Sequence, residues 1–312
     1  MRAATIVDGR LEVRHHPDPE PGLGQLLVRI RAAGLNGADL IQVKGGYPAP
    51  PGSPPDIPGL ELAGEVIGVG PGTTRFHRGA RVMAVVGGGA QAELALVHER
   101  EAMPVPEGLT WEEAGGLPEV FTTAHDALFT QAALHMGERL LVHGAAGGVG
   151  SAAVQLGVAA GARVVASVRD VARHADVAGL GAEVVSPDQV GSRGPYDVIL
   201  ELVGAVNLDT NLKALDTGGR IAVIGTGAGA RGEVNLGLLM AKRARMHGST
   251  LRARPLEGKA AAARLVESQV LPLFGTGRLH VPVCAAFPLE EVTAAYDRFR
   301  AGSKFGKIVI TP

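Results

Sequence analysis

The chain has 312 residues, 46% of them hydrophobic and 20% charged, with a formal net charge of −1. That length suits about two domains of ordinary size, with enough apolar residues to give each a core. The balanced charge offers no global attraction to nucleic acid or to an acidic membrane surface. The opening residues, "MRAATIVDGRLEV", lack the uninterrupted apolar run of a secretory signal, and "KIVITP" carries no targeting tail, so cytoplasmic residence is the expectation. Cys284 is the single cysteine, so no internal disulfide and no cysteine zinc cluster can form. Within "VPVCAAF" it is expected to be a small buried apolar residue.

In chain order, the first hundred residues hold short extended runs, "QLLVRIRAAGL", "ELAGEVIGVGPG", "ARVMAVV" and "AELALVH", broken by proline and glycine. They predict an irregular β-rich domain. "YPAPPGSPPD" is too short for a linker and suits a stiff surface loop.

The stretch "LVHGAAGGVGSAAVQLGVAAGARVVASV", Leu141 to Val168, is apolar enough to suggest a membrane span. It contains His143, Gln155 and Arg163, however, and relies on Gly and Ala rather than Leu and Ile for its apolarity, which favours a soluble fold. It divides into a strand, "RLLVHGA", a glycine turn, a helix of small residues ending near Gly161, and a second strand, "RVVASV". Such a unit points backbone N–H groups and the positive end of a helix dipole at an anion, and its glycines let a pyrophosphate approach closely. The turn residues Ala146, Gly147, Gly148, Val149 and Gly150 are therefore candidate dinucleotide contacts. Ala145 stands in the first glycine's place, so the spacing departs from GxGxxG; tight helix-to-sheet packing is the alternative use of these residues.

The alternation continues with a helical "DVARHADVAGLGA", then "AEVVS", "YDVILELVG", a helix near "LDTNLKALDTGG", and "RIAVIGTGAG". This α/β order predicts a parallel sheet with helices on both faces, and glycine turns at Gly204 and Gly225 fall at strand ends where such sheets bind ligands. Helices follow around "GKAAAARLVESQVLPLFGTG" and "LEEVTAAYDRFRAG", then a last strand, "GKIVIT", whose tail is expected to return to the first domain.

Cofactor preference turns on the end of the second strand, where NAD enzymes place an acidic residue for the ribose hydroxyls. Here Ser167 and Val168 stand at that end, with Arg169 and Arg173 close behind. Two arginines near a 2′-phosphate favour NADPH, although Asp170 lies between them and both could simply be solvated on a helix. The one dense basic segment, "AKRARMHGSTLRAR", could bind RNA but lacks interleaved aromatics. There is no GxSxG elbow, no HExxH and no sugar-cleft carboxylate pair, which removes the common hydrolase classes.

The motifs "GERLLVHGAAGGVGSAAVQ", "GLNGADLIQVKGGYPAPPGS", "IPGLELAGEVIGVGPG", "GLPEVFTTAHDAL" and "STLRAR" resemble, in this order, the zeta-crystallin-like quinone oxidoreductases of the medium-chain dehydrogenase/reductase family. Within it they lean toward the tumour-suppressor-inducible quinone oxidoreductases. The resemblance implies a GroES-like catalytic domain, residues 1–119 and 254–312, with a Rossmann domain inserted at 120–253, an active site in the cleft, and a homodimer formed through the nucleotide domains. It implies that Tyr47 lies beside the substrate and that Asn36 and Asp39 line the cleft, Asp39 being equally a helix-start carboxylate. Thr123 would sit near the nicotinamide, with Thr122 as its rival. Gly204, Gly225, Thr226 and Leu251 would border the cofactor, and Arg173 matches a phosphate-binding lysine. His143 is expected to be a sheet-end histidine.

Two departures are informative. Asn36 stands where zinc-dependent relatives carry a cysteine and Leu60 where they carry a histidine; Glu61 remains, and the four-cysteine structural lobe is absent. No metal is expected, and an electron-poor acceptor, a quinone or an enone, is the expected substrate. Gly147 stands where the tumour-suppressor-inducible relatives carry a serine, which removes a hydroxyl contact. The alternatives are an NADPH-dependent enone or enoyl reductase and a non-catalytic nucleotide- or RNA-binding crystallin-like protein.

Overall fold

The computed structural model describes residues 1–312, which form two compact units, each with its own core. The first comprises Met1–Thr122, Leu251–Gly302 and Lys307–Pro312; the second comprises Thr123–Thr250 and Ser303–Gly306.

The first unit starts with a hairpin of β1 (Arg2–Val7) and β2 (Arg10–His15), followed by the long β3 (Gln25–Leu35) and a short α1 (Gly37–Val43). Then come β4 (Glu61–Val69), β5 (Arg81–Val85), β6 (Leu94–His98) and the two-residue β7 (Met103–Pro104). Helices α2 (Trp111–Gly115) and α3 (Pro118–His125) lead out of it. Alternating burial along β3 turns Leu26, Val28 and Ile30 into a core with Leu62, Val66, Val82 and Val97, as the period of a strand requires.

The second unit alternates β8 (Arg139–His143), α4 (Gly148–Ala159), β9 (Arg163–Ser167), α5 (His174–Ala178), β10 (Glu183–Val185), β11 (Tyr196–Glu201), α6 (Leu208–Ala214), β12 (Leu215–Val223), α7 (Leu236–Ala241) and β13 (Arg245–Gly248). All six strands are parallel, in the order β10-β9-β8-β11-β12-β13. This is the doubly wound order whose reversal lies between β8 and β11, where such sheets open a crevice. The α/β class and the parallel sheet agree with the sequence.

The chain then returns through α8 (Leu256–Gln269), α9 (Leu271–Gly275), β14 (Val283–Pro288), α10 (Val292–Arg300) and β15 (Lys307–Thr311). β15 pairs antiparallel with β3, so the tail does complete the first unit's sheet. No helix is long and apolar enough to cross a membrane.

Several sequence expectations need correction. The helix over "GKAAAARLVESQVLPLFGTG" is two helices that break at Val270, because Pro272 has no N–H to continue the ladder. "LDTGG" belongs to β12 instead of ending a helix: Leu215 pairs with Tyr196 and Arg220 with Val198, the extra residues bulging where Gly218 takes φ +82°. Cys284 is exposed, since β14 buries alternate residues and this one faces outward. Finally, Ser303–Gly306 packs with the nucleotide unit: the Gly306 N–H donates to the Ala146 carbonyl.

Candidate active site

In the second unit, the turn from β8 into α4 is shaped by backbone approach. Gly144 takes φ +63°, and a Cβ on Gly150 would lie 2.4 Å from the Gly144 carbonyl oxygen and 2.6 Å from Ala145 Cα. Gly147 is the N-cap of α4, and the Ser151 N–H is bonded to its carbonyl. Gly147 is bridged in parallel to Gly306, and the first-turn N–H groups at Val149 and Gly150 precede that acceptor register, so the helix opens with donors for an anion. Ala146 through Val149 are partly exposed, while Gly150 is buried against the turn.

This turn borders a cavity of about 440 Å³ lined by His143, Gly144, Ala146, Gly147, Ser167 and Val168, by Arg169, Asp170 and Arg173, and by Leu202, Val203, Gly227 and Ala228. Of the turn residues, Ala146 and Gly147 line this cavity together with both arginines, while Gly148, Val149 and Gly150 are not in its wall. Gly204, Gly225 and Thr226 are not in its wall. Gly204 takes φ +137°, and a Cβ there would lie 2.7 Å from the Gly229 oxygen; one on Gly225 would lie 2.2 Å from the Leu202 oxygen. These glycines allow the strand-end loops to cross, and their neighbours meet the cavity.

The arginines differ. Arg169 is exposed, whereas Arg173 donates to Asp176 at 3.0 Å and keeps a buried Nε without a partner. The Asp170 carboxylate accepts from Ser303 Oγ and from the Ala172 N–H at 3.0 Å, and these bonds hold its pKa below the ordinary value. Ser303 and Lys304 also line the cavity, a contribution the sequence reading missed because both lie far along the chain. One unpartnered arginine nitrogen, a glycine cradle and a crevice at the strand ends fit a dinucleotide.

His143 is held deep in that wall. Asn211 Nδ2 donates to Glu201 Oε2 at 2.7 Å, so the Asn211 oxygen faces His143 Nε2, also at 2.7 Å, and the imidazole proton sits on Nε2. Glu201 in turn accepts the Val203 and Gly204 N–H groups at 2.7 and 2.8 Å. The histidine therefore braces the ends of β8 and β11, as a sheet-end residue does.

In the first unit, Asn36, Glu61 and Lys307 form a buried cluster. Lys307 Nζ lies 2.5 Å from Glu61 Oε1, 2.8 Å from Asn36 Oδ1 and 3.0 Å from the Leu35 carbonyl, so all three ammonium hydrogens are engaged. Asn36 Nδ2 donates to Glu61 Oε1 at 2.9 Å and to the Gly34 carbonyl at 3.3 Å. The other Glu61 oxygen accepts the Glu119 N–H at 2.7 Å. The sequence placed Asn36 on the cleft-lining segment and gave no sign of Lys307; the amide hydrogens are already taken, which leaves Asn36 a lone pair on Oδ1 rather than a donor.

Asp39 is fully buried in the first turn of α1. It accepts the Asn36 N–H at 2.8 Å and the Gly59 N–H at 3.1 Å, and burial pushes its pKa up to about 6. Its place is that of a helix-start carboxylate. Tyr47 is partly buried, with its ring 4.8 Å from the Arg252 guanidinium carbon. Leu251 and Thr122 are buried around a small gap against Ala262 and Ala263, and Thr123 is buried on α3.

No group of three His, Cys, Asp or Glu side chains gathers anywhere to hold a metal. Glu61, the one carboxylate carried over from the zinc-dependent pattern, already faces an ammonium. The donor set does not fit zinc.

The fold and these sites define an alcohol-dehydrogenase-like oxidoreductase with a separate nucleotide unit. Residues 22–107 match the alcohol dehydrogenase GroES-like domain and residues 161–310 match the zinc-binding dehydrogenase family. The chain belongs to the medium-chain dehydrogenase/reductase family that includes the zeta-crystallin-like quinone oxidoreductases. It is 31% identical to rat quinone oxidoreductase, over 94% of this chain and 90% of that one. It is 29% identical to acryloyl-coenzyme A reductase of Metallosphaera sedula, over 99% of each. It spans only 5% of the polyketide synthase GfsB of Streptomyces halstedii, which it matches at 31% identity over 92% of its own length. Among solved structures, a mycobacterial protein, Rv1454c, complexed with NADPH superposes with a TM-score of 0.89 at 26% identity, covering both chains in full.

Proposed function

We propose that this protein is an NADPH-dependent, metal-free reductase that passes hydride to a quinone. The observation that carries this reading is the Asn36–Glu61–Lys307 cluster, which leaves no ligand set for a Lewis-acid metal and so favours an acceptor that is already electron-poor. The names of the rat relative and of the NADPH-bound mycobacterial structure support the same substrate and cofactor.

Bound NADPH supplies the hydride. The chain's own residues do the rest: the Gly147–Gly150 turn holds the pyrophosphate, and Arg173, with Arg169 beside it, meets the 2′-phosphate. Tyr47 donates a hydrogen bond to the acceptor carbonyl as negative charge develops on its oxygen, which then takes one proton from solvent to complete the hydroquinone. Asn36, fixed by Lys307 and Glu61, orients the neighbouring part of the site. A homodimer belongs to this reading: β13 is one of the two edges of the parallel sheet, and Leu236 and Met240 on the preceding α7 are 66% and 76% exposed. Cytoplasmic residence is part of the same proposal.

A second reading, reduction of an enone or an enoyl thioester, draws on the acryloyl-coenzyme A reductase match and uses the same residues. The deciding experiment is anaerobic NADPH oxidation by chelator-treated protein with ortho-quinones, para-quinones and enones, repeated with NADH. Quinone turnover that survives chelation and prefers NADPH supports the proposal. Enone turnover alone replaces the substrate class, and tight NADPH binding without turnover overturns the enzyme assignment.

A further inference from the structure

Of the five basic residues in "AKRARMHGSTLRAR", only Arg252 ends inside the fold, at 5% exposure. Its Nε donates to the Gly87 carbonyl at 2.8 Å, its Nη1 to the Tyr47 carbonyl at 2.7 Å, and its Nη2 to Gln42 Oε1 at 2.7 Å. All three acceptors are neutral. The carboxylates of Asp39 and Glu119 act on it only through space, and burial pushes its pKa below the ordinary arginine value without removing the charge. The bond to Gln42 fixes that amide so that its Nε2 is left buried and unpartnered.

Burying a guanidinium without a carboxylate is costly, and carbonyl bonds recover only part of the hydration that is lost. A neutral side chain would tie α1, the Tyr47 loop and the end of β5 together at lower cost. The guanidinium carbon instead lies 4.8 Å from the centre of the Tyr47 ring, within cation–π range, while a second contact holds the same residue's backbone.

We propose that Arg252 is a positioning residue for the reduction: it fixes the backbone and ring of Tyr47 and holds a permanent positive charge beside that residue's phenol. This rests on the reading of Tyr47 as the group that meets the acceptor carbonyl. Arg252 neither gives nor takes a proton. Its charge stabilises the negative charge that arrives on the oxygen bonded by Tyr47, a task that metal-dependent enzymes give to an ion.

The test is a double-mutant cycle on the full chain, with wild type, Arg252→Met, Tyr47→Phe and the double variant, each given NADPH and para-benzoquinone without oxygen. Arg252→Met is expected to lower kcat about ten- to a hundredfold, from the usual strength of a charge-assisted contact, while NADPH affinity measured by fluorescence stays within about twofold. Arg252→Lys, which keeps the charge, is expected to recover part of kcat. In the Tyr47→Phe background the loss should shrink to about threefold or less. An equal loss in both backgrounds overturns the proposal and leaves Tyr47 in its role. Wild-type turnover by Tyr47→Phe alone removes the Tyr47 reading itself, and the proposal with it. If Arg252→Met does not fold, Gln42→Leu loosens one anchor and keeps the charge. A drop in kcat when Tyr47 is present, but not in the Tyr47→Phe background, then supports the proposal, and no change in either overturns it.

Discussion

Lys307 Nζ and Glu61 Oε1 lie 2.5 Å apart in a place where the lysine is 3% exposed and the glutamate is not exposed at all. The pair links the last strand to β4. Removing one partner strands the other charge in the core, which typically costs about 3–5 kcal/mol. Lys307→Met is therefore expected to lower unfolding free energy by that order in a urea titration. The double variant Lys307→Met/Glu61→Gln should recover much of it, and equal losses in the two variants would contradict the pairing.

Asp39 gives the fold a pH dependence of unusual sign for a carboxylate. Its pKa is raised from 3.8 to about 6 by burial, so between those values the native state binds more protons than the unfolded chain. Stability from this group is complete below about pH 4 and declines through about pH 6, by about 3 kcal/mol in all. Asp39→Asn should flatten unfolding free energy across that window. A slope unchanged from wild type would place the titration elsewhere.

The unpartnered Nε of Arg173 predicts cofactor discrimination. Arg173→Ala is expected to weaken NADPH binding about tenfold, discounted for its partial exposure, while NADH binding stays near its original value. Fluorescence titration of both cofactors checks this, and parallel losses would indicate a general disturbance of the site.

Two glycines of the same turn should respond oppositely. A Cβ on Gly150 meets the Gly144 oxygen at 2.4 Å, so Gly150→Ala is expected to abolish NADPH binding or folding. At Gly147 a Cβ meets only that same oxygen at 3.4 Å, and the N-cap conformation there suits serine. Gly147→Ser should fold normally and bind NADPH, which makes it the variant of choice for asking whether a hydroxyl shifts quinone preference.

The proposed dimer is checked by mass. Leu236→Lys/Met240→Lys places charge at the exposed apolar positions of α7 and should convert a dimer into a monomer in light scattering. Dimers that persist would move the interface elsewhere.

How much was legible follows from the range of each interaction. The strand, glycine turn and helix from Arg139 to Ala159 stood out because apolar runs and glycines encode local geometry over a few residues. The break at Val270 was also locally encoded, by Pro272, yet the helical run on either side concealed it. Gly225 looked like a ligand contact, but the close approach it permits is to the Leu202 backbone, a partner no local pattern reveals.

By itself, the sequence determined the α/β order, the glycine cradle, the missing zinc ligands and the family, since all of these are written in residue types and spacings. Only the tertiary structure decided that Lys307 neutralises Glu61 from 246 residues away and that Arg252 grips Tyr47 from 205. It also decided that Ser303, 133 residues further on, binds the Asp170 carboxylate between the two arginines of the sequence. The physical reason is that burial and charge pairing depend on which distant strands and loops share a core, and a linear pattern carries no measure of that distance.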